Sequence, residues 1–112
     1  MKTIEFDSEF NEQVLNFLRN NYGKRYARRW NMGNNIIAVF VHDEYVLRTS
    51  SNQSITIIFE PGSRQGISRA TVIASGGGEG LFGIDWGSES AAENTFVKRI
   101  KEVTKSRYSS NY

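Results

Sequence analysis

The sequence predicts an α+β fold: an N-terminal helix, a four-stranded antiparallel meander and a C-terminal helix packed on the sheet. Three observations carry this. Apolar residues recur at three- and four-residue steps near both ends of the chain. Between them the pattern changes to β-branched and alternating runs. Those runs are joined by connections too short for a parallel crossover. At 112 residues the chain has the length of one domain, with 106–112 as a polar tail expected to fray.

The first helix is read from Asp7 to Tyr22, because Phe10, Val14, Phe17, Leu18 and Tyr22 fall on one face. Asp7 or Ser8 offers an oxygen to the free N–H groups of the first turn, and Glu9 and Glu12 sit at the positive end of the helix dipole. Gly23 is a stop signal, yet Leu15, Leu18, Tyr22, Tyr26 and Trp30 also fit a helix that runs on. Asn31-Met32-Gly33-Asn34-Asn35 ends either version in a turn. Ile36 to Val41 is apolar on both faces and reads as an interior strand. It continues through Tyr45 to Thr49 after a bulge at His42-Asp43-Glu44.

Ser50 to Gln53 reads as a turn, and Ile55, Ile57 and Phe59 as the inward face of the next strand. Pro61-Gly62 turns the chain into a third strand, Ile67 to Ser75. The run Gly76 to Gly80 is a hairpin connection to a fourth strand at Leu81 to Trp86. In the last helix Ser90 and Glu93 match a capping box, and Phe96, Ile100, Val103 and Arg107 form the apolar-facing stripe beside Val97.

From Trp30 to about Val103 the chain resembles an uncharacterised family of small bacterial domains of unknown function, found mainly in Gram-positive bacteria. The residues that carry the likeness are Asn31-Met32-Gly33, the strand pair around Tyr45 and Ile55 to Phe59, and Ile73-Ala74-Ser75-Gly76-Gly77. Phe82, Ile84 and Trp86-Gly87-Ser88-Glu89 complete it. The loop Gly76 to Gly80 departs from the family by being longer and richer in glycine. The resemblance implies one domain with this element order. It implies no activity.

Composition narrows the function. There is no cysteine and a single histidine, which excludes disulfides, thiolate nucleophiles and thiolate-ligated zinc, and argues against imidazole-rich metal sites. No cofactor and no metal are expected. No apolar run reaches the roughly 20 residues of a membrane span, and Met1 to Asp7 is not a secretory leader, so the expected setting is the cytoplasm of a bacterium or of a phage-infected host. In that setting the acceptor pattern Asn52-Gln53-Ser54 is a coincidence.

Four constellations invite a chemical reading. Arg19, Lys24, Arg25, Arg28 and Arg29 interleave with Tyr22, Tyr26 and Trp30, and no acid occurs from Gln13 to Val41. Cations for phosphates and rings for bases are what single-stranded nucleic acid requires. On a helix Arg25 and Arg29 stand one turn apart; the plainer reading is core aromatics beside a solvated basic face. Lys98, Arg99, Lys101, Lys105 and Arg107 form a second basic set, which joins the first into one positive surface if both helices share a sheet face, or simply solubilises the helix. Gly76, Gly77, Gly78 and Gly80 could present N–H groups to an anion, but the loop lacks the lysine and the following helix of a phosphate-binding loop. His42 with Asp43 and Glu44, near Tyr45, is the one site for a general base or a small-ligand pocket, with a plain bulge as its alternative.

The expected function is therefore a non-enzymatic binding or regulatory domain that contacts another protein. Two helices cannot cover both faces of the sheet, so a homodimer that hides the bare face is part of that expectation. Nucleic-acid binding through Arg19 to Trp30 is the alternative, and a small-ligand or enzymatic pocket at His42 the second alternative.

Overall fold

A computed structural model of the chain describes residues 1–46, 51–75 and 88–109. The elements are β1 (Lys2–Asp7), a 3₁₀ turn (Ser8–Phe10), α1 (Asn11–Tyr22), β2 (Tyr26–Met32), β3 (Asn35–Val46), β4 (Ser51–Pro61), β5 (Ile67–Ser75) and α2 (Ser88–Ser109). The described strands form one antiparallel sheet in the order β1-β5-β4-β3-β2. The α+β class stands, but the sheet has five described strands and is not a simple meander.

The added strand is β1. Thr3-Ile4-Glu5-Phe6 alternates, and Ile4 and Phe6 turn inward while Thr3 and Glu5 turn outward. It pairs with β5 from Lys2↔Val72 to Asp7↔Ile67, so the first and last described strands are neighbours. Asp7 then caps the 3₁₀ turn, its Oδ1 accepting from the Glu9 N–H at 3.0 Å. From there α1 carries the chain across the sheet to the opposite edge, where β2 begins.

The helix stops at Tyr22, with Gly23 as its C-terminal cap. The continued helical stripe to Trp30 is thus overturned: Tyr26 to Met32 is an edge strand, paired with β3 from Tyr26↔Val41 to Met32↔Asn35. A ladder of backbone bonds to a long apolar strand outweighs the helical preference of Ala27, Arg28 and Arg29, which Gly23 separates from the helix. The turn of the Asn-rich stretch shrinks to Gly33 and Asn34, with Gly33 at φ 66°.

The bulge at His42 is also overturned. His42, Asp43 and Glu44 pair in unbroken register with Ile55, Ser54 and Gln53. Ser51 to Gln53, expected in a turn, therefore belongs to β4. Strand β5 has the expected limits. The proposed loop Gly76 to Gly80, the fourth strand at Leu81 to Trp86 and the chain end 110–112 lie outside the described residues.

Both helices pack on one face of the sheet. α1 contacts β3 and α2, and α2 contacts β1 and β5. Val14, Leu15, Leu18 and Tyr22 of α1 and Phe96 and Ile100 of α2 meet Phe6, Phe40, Ile55, Ile57, Phe59, Ala70 and Val72 from the strands. Ring contacts tie neighbours within each layer, Phe6 to Phe59 in the sheet at 5.9 Å and Tyr22 to Phe96 between the helices at 5.4 Å between centroids. α2 begins at Ser88, so Glu93 lies inside the helix and makes no capping box. Its buried carboxylate instead accepts from the Ala74 N–H at 3.1 Å and meets the Met1 α-ammonium at 2.9 Å.

Candidate interaction face

With both helices on one side, the other side of the sheet has no element over it among the described residues. Period-two alternation decides which residues stand there. On β2 these are Tyr26, Arg28, Trp30 and Met32; on β3, Asn35, Ile37, Val39, Val41 and Asp43. On β4 they are Thr56, Ile58 and Glu60, on β5 Arg69, Thr71 and Ile73, and on β1 Thr3 and Glu5. Tyr26 (44%), Trp30 (37%), Met32 (57%) and Ile73 (36%) are exposed there, an unusual amount of large apolar surface for one face.

The face has three zones. Along β2 the Arg28 guanidinium lies 5.0 Å above the Trp30 ring, a cation–π pair at the sheet edge. In the middle, Val39 pairs across the ladder with both Arg28 and Ile58, and Val41 with Tyr26 and Thr56. At the far side Thr3 and Thr71 hydroxyls meet at 3.1 Å, and Arg69 stands 3.0 Å from Glu5 and 3.8 Å from Glu60. Glu5 also accepts from the Ser63 hydroxyl and N–H; those bonds, with Arg69, hold its carboxyl below the usual range. The face thus carries Arg28 and the Asp43–Arg25–Lys24 cluster along one side, an aliphatic centre, and two acids to one arginine along the other.

The basic segment found in the sequence is divided by this geometry. Arg29 points to the helix side and grips Glu12 of α1 with both terminal nitrogens, at 2.7 and 3.0 Å. Arg25 donates to Asp43 at 2.9 Å, and Lys24 approaches the same carboxylate at 3.8 Å. These partners hold the Glu12 and Asp43 carboxyls below their ordinary range. Arg19 is exposed on α1, and Tyr22 is buried in the core. Of the set, Tyr26, Arg28 and Trp30 stand in one row on the open face.

Lys98, Lys101 and Lys105 are exposed on α2, across the sheet from that row. Arg99 does not join them. It donates to the Tyr22 hydroxyl at 3.0 Å and lies 5.9 Å from that ring. The helices do share a sheet face, but Tyr26, Arg28 and Trp30 point away from it, so the two basic sets do not form one surface around this row.

His42 and Glu44 do share a face, as alternation requires, with Nε2 and Oε1 3.7 Å apart, while Asp43 turns away to Arg25. The His42 ring packs edge-on against Tyr22 at 5.6 Å, and Tyr22 burial raises its phenol above the ordinary value. No group of three or more histidine, aspartate or glutamate side chains able to hold a metal occurs among the described residues. The Tyr45 side chain and the glycine loop, the other parts of that reading, fall outside them.

Sequence reasoning missed Glu12 and Asp43 as the partners of the arginines, because 17 and 18 residues separate them. It also missed Thr3 and Glu5. Their signal was the alternation of residues 2–7, which was legible.

Residues 10–104 match a family of unknown function, DUF6054. The chain belongs to that family. The DUF6054 match covers α1, β2 to β5 and α2 as far as residue 104, and leaves out β1 and the first two residues of the 3₁₀ turn, so the helix, the β2–β5 ladder and the final helix are the family's unit. Neither a curated protein nor a solved structure matches the chain. No described helix is long and apolar enough to cross a membrane.

Proposed function

We propose that this DUF6054 domain is a non-enzymatic, cytoplasmic binding module that docks another protein on the open face of its sheet. The observation that carries the reading is the one-sided placement of α1 and α2, which leaves Trp30, Ile37, Val39, Val41, Ile58 and Ile73 without a cover among the described residues. Aliphatic centre, aromatic edge and polar rim is the anatomy of a protein interface. Trp30 and Arg28 supply the residue types that dominate binding energy when buried.

A photo-reactive residue at Val39 tests this against one at Lys101 on the far side. Protein adducts are expected from position 39 and not from position 101. Adducts from position 101 alone would defeat the reading.

Nucleic acid is the second reading, favoured by Tyr26, Arg28 and Trp30 standing in one row. Against it, Arg25 and Arg29 are held in ion pairs and the centre of the face is aliphatic. It requires oligonucleotide affinity that falls steeply with salt and is lost in Trp30→Ala and Arg28→Ala.

A further inference from the structure

Resting on the protein-docking reading, we infer that the occupant of the open face is a second copy of this chain, related by a two-fold axis that runs parallel to the strands between β3 and β4. A face that packs on itself must be self-complementary about such an axis. This face is. The axis separates β2 and β3 from β4 and β5, so rotation sets β3 over β4 of the second copy and β2 over its β5. Because the axis follows the strands, residues meet at the same level of the ladder. Val39 and Ile58 are level partners within one chain, so Val39 falls on Ile58 of the second copy. Tyr26 is level with Val41, Thr56 and Ile73, so Tyr26 falls on Ile73 of the second copy.

Charge selects the same axis. Arg28 lies on the β2 side, whereas Glu5 and Glu60 flank Arg69 on the other. Rotation about the strand direction sets β2 over β5 of the other copy, so that Trp30 falls on the Arg69 guanidinium and Arg28 falls level with Thr71, with no like charges opposed. A two-fold perpendicular to the strands would instead lay β2 on β2, with Arg28 against Arg28 and the acids against each other. Like charges facing in a buried contact are strongly disfavoured. Sheets pack with their strands within about 30° of each other, which this arrangement satisfies.

The area sets the strength. Four strands at about 4.8 Å spacing and about seven residues at ~3.3 Å give a plan of roughly 450 Å² per copy. With side-chain relief the total is on the order of 1,000 Å², the threshold for a specific interface. An interface at that threshold makes a reversible dimer.

The test uses the full chain. Sedimentation over micromolar to millimolar concentration should show a monomer–dimer equilibrium. Val39→Glu should abolish it, with an unchanged circular dichroism spectrum as the control for folding. Arg69→Glu, which sets a carboxylate under Trp30 of the second copy, should weaken the dimer at least several-fold, and Arg69→Lys should keep it. The chain has no cysteine, so Tyr26→Cys with Ile73→Cys places the only two thiols. They sit three strands apart within one chain, roughly 14 Å, and cannot bridge internally. With a bifunctional methanethiosulfonate of about 5 Å span, which bridges sheets packed about 10 Å apart, the double variant should give a covalent dimer, and neither single variant should.

A dimer that is lost in Val39→Glu but gives no such crosslink overturns this two-fold and leaves the docking face standing. A monomer at every concentration overturns the second copy. If Val39 photo-adducts with other proteins persist in that case, the docking reading survives; if they are absent too, both fall. Binding of an oligonucleotide that disappears in Trp30→Ala overturns the inference in favour of nucleic acid.

Discussion

Ile57 and Ile58 are adjacent, identical in chemistry and opposite in exposure, which makes them a matched test of the open face. Ile57 is fully buried between the helices and the sheet, whereas Ile58 is half-buried on the other side. Truncation to alanine removes three carbons at either position. At Ile57 the lost transfer energy is about 2.4 kcal/mol at ~0.8 kcal/mol per carbon, and the enclosed cavity raises the total to roughly 3.5 kcal/mol. At Ile58 solvent fills the space left, so roughly 1 kcal/mol is expected. The difference, about 2.5 kcal/mol, corresponds to a melting temperature lower by roughly 10 °C for Ile57→Ala than for Ile58→Ala. Urea unfolding followed by circular dichroism at low micromolar concentration measures both. Equal costs at that dilution would mean that the face is covered within the monomer and would remove the basis of the functional reading. A cost at Ile58 that grows with protein concentration would instead report the self-association.

Three further outcomes follow from the packing. Glu93→Gln removes a buried charge that meets the Met1 α-ammonium and the Ala74 N–H; a loss of about 1–3 kcal/mol by urea unfolding is expected, and a neutral result would mean that the contact is not made in solution. Gly62→Ala places a Cβ 2.7 Å from the Ile67 Cγ2 and 2.9 Å from its carbonyl oxygen, at the turn whose Gly62 N–H donates to that same oxygen. A loss of about 1–3 kcal/mol is expected, and unchanged melting would show that the β4–β5 turn is looser than described. Glu5, Glu12 and Asp43 have carboxyl groups held below ordinary values of 4.5, 4.5 and 3.8. Their contribution is present above those values and is lost as pH falls through the lowered ones, so the urea midpoint should drop on acidification from about pH 6 to about pH 3. High salt should shrink the effect because the pairs are exposed; a flat midpoint would mean that the pairs do not form.

The helices, β5 and the inward face of β4 were legible because each has a clean period: Val14, Leu18 and Tyr22 on one helical stripe, Ile55, Ile57 and Phe59 at every second residue. Residues Tyr26 to Met32 were not, because their aromatics satisfy a helical spacing as well as a strand spacing, and only pairing with β3 decides between them. The bulge expected at His42 rested on three consecutive polar residues. In the sheet they are ordinary strand positions near its end, where polar side chains reach other partners: His42 to Glu44, Asp43 to Arg25. The candidate site was half legible. Apolar residues on both faces of Ile36 to Val41 announced a strand that needs a cover on both sides. Which side lacks the cover depends on α1 crossing from β1 to β2 on the same side as α2, and that is a tertiary fact.

That crossing also explains why the basic segment is a poor guide to function. A helix that passes over the sheet to an edge strand needs an anchor at the far end, and Arg29 supplies it by clamping Glu12 across the gap between β2 and α1. Arg25 and Lys24 close the entry to β2 on Asp43 of the neighbouring strand. Three of the five cations between Arg19 and Arg29 are therefore engaged in fixing a strand that, among the described residues, has a neighbour on one side alone. What remains for a partner is the opposite row, and there a single arginine rides on a tryptophan beside aliphatic side chains. A surface of that composition gains more from losing water to another apolar surface than from neutralising phosphates. A weak dependence of self-association on salt, measured beside the Arg69 variants, is expected of an aliphatic centre with charged edges; a steep one would mean that charge pairs and not the aliphatic centre hold the copies together.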